Sequence, residues 1–319
     1  MPIKRAKIVS VGTAVPENIV TNFDLETFLD TSNEWIETRT GISQRHIFPR
    51  EAPGKASDLG IAAAQKALQR AAMDASDVDG IICATFTPDN FFPSTACVMA
   101  GALGCRKAFS FDIFAACAGF VYGLTVANSL IVSGQCRNVL LVGAEVISRT
   151  LDWTDRDTCI LFGDGAGAVV MSVEEDGNAG VLGSTISSDG TLGDILKLPS
   201  WGEKRYMTMK GGEVFKYAVR MMSESTTECL QKSGIAKEEI DLLIPHQANI
   251  RIIRSLAQHL EMPMEKVITN VHLYGNTSSA SIPLALEQAW EQNRISKGTV
   301  VAFASLGGGV TVGSALVRF

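Results

Sequence analysis

Histidine, aromatic side chains and charge are all scarce in this chain. Its 319 residues include 4 histidines, aromatic residues make up 7% and charged residues 19%, and the formal net charge is −6. An acidic balance without a run of Lys and Arg argues against a nucleic-acid surface. No apolar stretch reaches membrane-spanning length without a Gly, Ser, Asn or charged interruption, so neither a transmembrane segment nor a membrane anchor is indicated. The 7 cysteines are odd in number and scattered, which speaks against a disulfide framework and against a zinc site. No signal-peptide core follows the opening Met1-Pro-Ile-Lys-Arg-Ala-Lys, and the expected location is cytoplasmic. Low-complexity linkers and blocks of like charge are also missing. What remains is a chain that is 46% hydrophobic, enough for a large core, with room for two fused halves of about 150 residues.

Cys117 is the most informative residue. It closes Ala115-Ala-Cys and opens a run, Ala118 to Val132, that is apolar on nearly every face. Such a run reads as a buried helix, and Asp112-Ile-Phe114 reads as the end of a strand before it. A thiol at a helix N-terminus is favoured as thiolate, so a lowered pKa is expected for Cys117. Two segments far downstream supply partners: the strand-like Leu243-Ile-Pro-His246-Gln-Ala-Asn249 and the segment His272-Leu-Tyr-Gly-Asn276-Thr-Ser-Ser. One Cys with a remote His and Asn is the pattern of a nucleophile whose partners meet in space. A lone His after a strand is more often a packing residue, and His46, His259 and His272 are read that way.

The chain also repeats itself. Asp79-Gly-Ile-Ile-Cys-Ala-Thr and Asp241-Leu-Leu-Ile-Pro-His each follow a helical stretch, and each leads to a second junction, at Cys117 and at Asn276. After an Ala/Ser-rich helix come the strands Asn138-Val-Leu-Leu-Val-Gly-Ala and Thr299-Val-Val-Ala-Phe-Ala-Ser. A duplicated α/β unit explains this, and a pseudo-twofold axis would bring the two junctions face to face. The halves divide at the polar cluster Glu174-Glu-Asp-Gly-Asn178, giving an N-terminal half over 1–173 and a C-terminal half over 174–319. Helices are expected over Asp58 to Ala72 and Phe215 to Lys232, and loops over Ser184 to Gly212, where Trp201 breaks the pattern. Gly163-Asp-Gly-Ala-Gly167 lacks the spacing of a dinucleotide fingerprint and leads into a strand, so it reads as a tight turn.

Six segments together resemble the β-ketoacyl-[acyl-carrier-protein] synthase III family of the thiolase superfamily. They are Asp30-Thr-Ser-Asn-Glu-Trp-Ile-Glu-Thr-Arg-Thr-Gly-Ile, Ala115-Ala-Cys-Ala-Gly-Phe, Phe162-Gly-Asp-Gly-Ala-Gly-Ala, Pro245-His-Gln-Ala-Asn, Tyr274-Gly-Asn-Thr-Ser and the tail from Gly307-Gly-Gly to Phe319. The resemblance implies a thiolase-like α/β fold, layered αβαβα around buried helices. It implies decarboxylative condensation of a short acyl-CoA, acetyl-CoA first, with malonyl-acyl carrier protein, initiating fatty acid synthesis. Cys117 would carry the acyl group, while His246 and Asn276 would stabilise the enolate. The Cys117 and Gly308 amides would form the oxyanion hole. No metal and no permanently bound cofactor is implied, since acyl-CoA is the substrate.

The same resemblance assigns Trp35, Arg39, Arg156, Phe215 and Asn249 to CoA binding, with Trp35 and Arg156 sandwiching the adenine. Phe162 and Phe92 would shape the acyl pocket, Phe92 reaching across a homodimer interface. Lys216, Arg220, Arg251 and Arg254 would offer a basic patch to the acidic carrier. Departures from the family stand at Phe114, Gly212 and Val312, at Gly212 with loss of one polar contact to CoA. A papain-like protease shares the Cys, His, Asn order but not the sequence around this cysteine. A non-condensing acyltransferase and a condensing enzyme of secondary metabolism remain alternatives.

Overall fold

A computed structural model describes residues 4–52, 54–200 and 205–319, and Trp201 lies outside them. Two sheets organise the chain. The first contains β1 (Arg5–Ala14), β2 (Gly80–Ala84), β3 (Phe109–Ile113), β4 (Asn138–Glu145) and β5 (Gly165–Glu174). The second contains β6 (Gly180–Ser188), β7 (Leu242–Pro245), β8 (Val300–Gly307) and β9 (Thr311–Arg318). Spatial order in the first is β1-β5-β4-β2-β3 and in the second β7-β8-β9-β6.

The orders superimpose. In one sheet β2 is parallel to β4, β4 antiparallel to β5 and β5 antiparallel to β1. In the other β7 is parallel to β8, β8 antiparallel to β9 and β9 antiparallel to β6. Where the first sheet has β3, the second has one parallel bridge, Leu243 to Val267. The strands β2, β4, β7 and β8 read as continuous apolar runs because both faces of each sheet are covered.

Helices α1 (Asn33–Thr40), α2 (Ala56–Arg70), α3 (Thr95–Leu103), α4 (Gly119–Val132), α5 (Gly211–Ser233), α6 (Ile250–His259) and α7 (Ser281–Glu291) complete the frame. α4 lies between the sheets and touches strands of both, as its apolar surround requires. α7 packs on β5, β1 and β7. α2 and α3 cover the outside of the first sheet, while α5 covers the outside of the second and packs against α6. The result is a layered αβαβα sandwich. Phe120 of α4 meets Phe303 of β8 edge-on, with centroids 6.2 Å apart, in the geometry aromatic rings favour. Gly143 permits closer approach still: a Cβ there would sit 2.4 Å from the Ser279 carbonyl oxygen of the other half.

The expected helices over Asp58–Ala72 and Phe215–Lys232 correspond to α2 and α5, the latter beginning four residues earlier. Not all of 184–212 is loop, because β6 runs to Ser188 and Leu196–Lys197 pairs with Thr208–Met209. The Gly163 to Gly167 segment enters strand β5, and the Asp164 carboxylate is tied to the Phe48 and Ser148 amides. Phe114 lies just past the end of β3, at Ile113.

Candidate active site

Cys117 sits on a sharp turn, with α4 beginning two residues later. Ala116 before it is left-handed, with φ of 44°, a conformation that is strained for a residue with a Cβ. The turn is held from the other half. The Thr311 hydroxyl donates to the Ala115 carbonyl (2.9 Å), and Gly307 approaches so closely that a Cβ would lie 2.6 Å from the Cys117 nitrogen. Burial pushes the thiol up to about 12. That reverses the lowered value expected from the helix terminus: α4 starts beyond the sulfur, and desolvation of a thiolate outweighs a partial charge. The resting group is a thiol. The Ser278 hydroxyl supplies the leading opposing influence, favouring the thiolate, and among the described residues this buried hydroxyl has no other hydrogen-bonding partner.

His246 follows β7, and its amide donates to the Ala304 carbonyl of β8 (2.8 Å). The imidazole is 4% exposed and burial lowers its pKa to about 4, so it is neutral at physiological pH. Its Nδ1 lies 2.6 Å from Ser281 Oγ, which also accepts from the Gln247 amide (3.3 Å). When the serine hydroxyl donates to Nδ1, the ring proton resides on Nε2, a donor. Asn276 is pinned between an amide bond to the Leu161 carbonyl (2.8 Å) and the Gly163 amide on its own carbonyl (3.1 Å). Its Oδ1 accepts from the Ser278 amide (2.8 Å), which leaves the Nδ2 hydrogens for the cavity.

Cys117, His246 and Asn276 line one cavity of about 430 Å³. Trp35, Arg39, Phe215, Asn249 and Arg251 also line it, as does Gly212, whose missing side chain would meet nothing within 4 Å. A second cavity, of about 670 Å³, also reaches Cys117 and is lined by Phe86, Phe91, Phe114, Phe162, Leu196 and Gly308 among others. Phe162 and Leu196 belong to both walls. The thiol therefore stands where two spaces meet.

Several assigned residues have engagements that sequence does not reveal. The guanidinium groups of Arg39 and Arg156 both lie over the Trp35 ring, 4.5 and 4.9 Å from its centroid, and Arg156 donates to the Asp30 carbonyl (2.6 Å). Trp35 and Arg156 thus already stack on each other, and a base can enter between them only if the arginine swings away. Asn249 caps α6 through the Arg251 amide (2.8 Å) and donates to the Arg39 carbonyl (3.0 Å). Its side chain is structural first. Arg251 lies over Phe215 at 5.8 Å, and Lys216, Arg220, Arg251 and Arg254 are exposed on the paired helices α5 and α6. Phe92 is 86% exposed and reaches neither cavity of its own chain, whereas Phe91 lines the second. Val312 is buried.

Sequence reasoning passed over Phe86, Ser278, Ser279, Ser281 and Glu145. The last is fully buried at the end of β4. A lone acid closing the apolar run from Val139 to Ala144 was the available signal. Among the described residues no group of three or more His, Cys, Asp or Glu side chains is placed to hold a metal. No helix among them is long and apolar enough to cross a membrane.

The family profile described as 3-oxoacyl-[acyl-carrier-protein (ACP)] synthase III matches residues 111–190, and its C-terminal counterpart matches 230–319. The β-ketoacyl-[acyl-carrier-protein] synthase III of Aquifex aeolicus is 46% identical over 98% of this chain and 99% of its own. The chain belongs to the β-ketoacyl-[acyl-carrier-protein] synthase III family. A synthase III from Clostridium perfringens is likewise 46% identical, over 99% of this chain and all of its own. Among solved structures, the Aquifex aeolicus synthase III has a TM-score of 0.95 at 46% identity, covering 98% of this chain and all of that one. The priming β-ketosynthase of the R1128 polyketide pathway has a TM-score of 0.93 at 32% identity, covering all of this chain and 98% of that one.

Proposed function

We propose that this synthase III joins a short acyl-CoA, acetyl-CoA first, to malonyl-acyl carrier protein and so initiates fatty acid synthesis. The observation that carries the reading is the convergence of Cys117, His246 and Asn276 on one cavity while a second opens behind the thiol. Cys117 sulfur attacks the thioester carbonyl, the tetrahedral oxygen being met by the Cys117 and Gly308 amides, and the thiol of CoA leaves with the proton. The acyl chain rests in the second cavity between Phe86 and Phe162. The malonyl thioester then loses CO2, and its enolate oxygen is held by His246 Nε2–H and Asn276 Nδ2–H. The enolate carbon attacks the acyl carbonyl, the bond to sulfur breaks, and a proton taken up restores the thiol. No redox or metal step enters. A neutral imidazole suits the donor role, since a charged one would hold the carboxylate that must depart.

Trp35, Arg39, Arg156, Phe215 and Asn249 form the approach for CoA, and Lys216, Arg220, Arg251 and Arg254 the face offered to the carrier. The exposed aromatics Phe92 and Phe111, the latter on edge strand β3, support a homodimer in which Phe92 enters the partner's acyl cavity. The division into halves over 1–173 and 174–319 is supported by the two large sheets, since the last strand of the first, β5, ends at Glu174 and the first strand of the second, β6, starts at Gly180. Seven free cysteines support a cytoplasmic location. A condensing enzyme of secondary metabolism is the second reading, favoured by the likeness to the priming β-ketosynthase.

Intact-mass spectrometry after incubation with acetyl-CoA, followed by a malonyl-carrier chase, tests the reading. One acyl group on Cys117, discharged by the chase, is expected, and none on a Cys117→Ser variant. Stoichiometric acylation of that variant at another cysteine removes Cys117 from the mechanism.

A further inference from the structure

The segment after β2 and the turn after Asn276 belong to opposite halves, and they meet at one side chain. Glu145, the last residue of β4, is buried. Among the described residues no cation lies at salt-bridge distance from it. Its carboxylate collects five donors instead. The Thr87 hydroxyl (2.6 Å), the Thr85 hydroxyl (3.1 Å) and the Phe86 and Thr87 amides (both 3.2 Å) reach Oε2, and the Ser279 hydroxyl reaches Oε1 (3.2 Å). The Thr87 hydroxyl is fixed from a further side, since its oxygen accepts from the Val146 amide (2.9 Å). Hydrogen bonds to an ionised acceptor are the strong ones, so a buried carboxylate with this many donors locks the chain segments that supply them.

Those segments have different work. Phe86, Thr87 and Pro88 line the cavity behind the thiol. Ser279 lies in the turn Ser278–Ala280, at whose start the Ser278 amide holds Asn276 Oδ1 (2.8 Å). Two residues past Ser279, Ser281 Oγ lies 2.6 Å from His246 Nδ1. Ser279 thus stands between the groups that orient the two enolate donors. The turn is pressed onto β4 as well, where Gly143 leaves no room for a Cβ against the Ser279 carbonyl. Glu145 itself lines neither cavity.

We infer that Glu145 is a positioning residue with two arms, one through Thr85 to Thr87 that fixes the wall of the acyl cavity and so limits primer length, the other through Ser279 that fixes the Asn276 and His246 donors. Cutting the first arm lets the wall yield to a longer chain. Cutting the second lets the enolate donors drift, and a misplacement of 1 Å or so is enough to slow a reaction severely. The inference rests on the condensation proposed above, with Cys117 as acyl carrier.

Two readouts on the full chain separate the arms: the kcat/KM ratio of hexanoyl-CoA to acetyl-CoA, and the single-turnover release of CO2 from malonyl-carrier. Burial pushes the acid up to about 7 while the donors oppose it, so assays are run at about pH 8, where the carboxylate prevails. In Thr87→Val the primer ratio is expected to rise about tenfold, the lower end of what one methylene is worth in a fitted pocket, with a smaller change in CO2 release. Thr87→Ser, which keeps the hydroxyl, should restore the wild-type ratio. In Ser279→Ala, CO2 release is expected to fall on the order of 10–100-fold, with a smaller change in primer ratio. Glu145→Ala should show both effects. Glu145→Gln keeps an oxygen for the donors at Oε2 and can turn its NH2 to Ser279 Oγ, whose own proton goes to the Ala84 carbonyl (2.8 Å), so both readouts should stay within about threefold of wild type. An unchanged primer ratio in Thr87→Val, unchanged CO2 release in Ser279→Ala, or a glutamine variant as impaired as the alanine one would overturn the assignment. Should Glu145→Ala not fold, the threonine and serine variants decide. Intact mass after acetyl-CoA is recorded for the wild type first, so that failure of the condensation reading appears separately, as no acyl group on Cys117.

Discussion

Replacing His246 with alanine should separate the two halves of the reaction. The ring is buried, oriented by Ser281 at 2.6 Å, and neutral because burial lowers its pKa to about 4. It touches the cavity through one donor, Nε2–H. Loss of one preorganised donor to a developing oxyanion typically lowers a rate by about 10²–10³, or 2.7–4 kcal/mol. Release of CO2 from malonyl-carrier should fall by that factor. Acylation of Cys117 should fall much less if, as proposed, its oxyanion is met by the Cys117 and Gly308 amides. Single-turnover kinetics with labelled malonyl-carrier and, separately, with acetyl-CoA measure the two. Equal losses in a folded variant would show that His246 activates the thiol, and the division of labour would be wrong. Stability provides a second reading with a definite sign. The unfolded imidazole binds a proton near its ordinary pKa of 6.5, whereas the folded one waits until about 4. Between those values the unfolded state holds more protons, so wild-type stability falls as pH drops through the window, by about 3 kcal/mol, and His246 contributes no slope above it. The variant lacks that slope, and urea melts at about pH 7.5 and 4.5, either side of most of the window, should show the gap between the two proteins moving in the variant's favour at acid pH.

Gly307→Ala should strike acylation harder than condensation, since its Cβ would meet the Cys117 nitrogen at 2.6 Å and displace an oxyanion donor; a single-turnover rate within about twofold of wild type would contradict this. Phe92→Ala should cost little folding stability in the isolated chain, because the ring is 86% exposed, yet weaken self-association and favour longer acyl-CoA primers. Sedimentation and primer competition test both, and an unchanged primer ranking in a dimeric variant rejects the cross-interface role. Gly212→Asn has space, as among the described residues no atom outside its own helix lies within 4 Å of the added Cβ, and should lower the KM for acetyl-CoA by severalfold, consistent with one added hydrogen bond of about 1 kcal/mol.

Strands and buried helices were legible because periodicity reports burial, and β4, β8 and α4 are buried on nearly all sides. The relation between the halves was legible as well, although the structure pairs Cys117 with Ser279, each following a left-handed residue (Ala116, φ 44°; Ser278, φ 52°) in a turn that leads into a helix, where the spacing had paired Cys117 with Asn276. A left-handed residue marks the junction, and no residue type announces it when Ala and Ser stand in for Gly. The pKa of Cys117 was misread because helix position is local in sequence, whereas desolvation is imposed by chain from both halves. Glu145 escaped notice for a related reason. An acid at a strand end reads as solvated until Thr85, Thr87 and Ser279, from separate segments, are seen to close over it. Trp35 was assigned to CoA from its own segment, but its arginine neighbours come from one turn onward and from far along the chain, and only folding shows that Arg156 already covers it.

The sulfur between two spaces imposes an order of traffic. If the pantetheine arms of CoA and of the carrier both enter on the Trp35 side, as proposed, the departing handle has to clear that passage before the second partner arrives, while the short chain waits in the cavity beyond the thiol. Free CoA left in the passage would then block the carrier without displacing the stored acyl group.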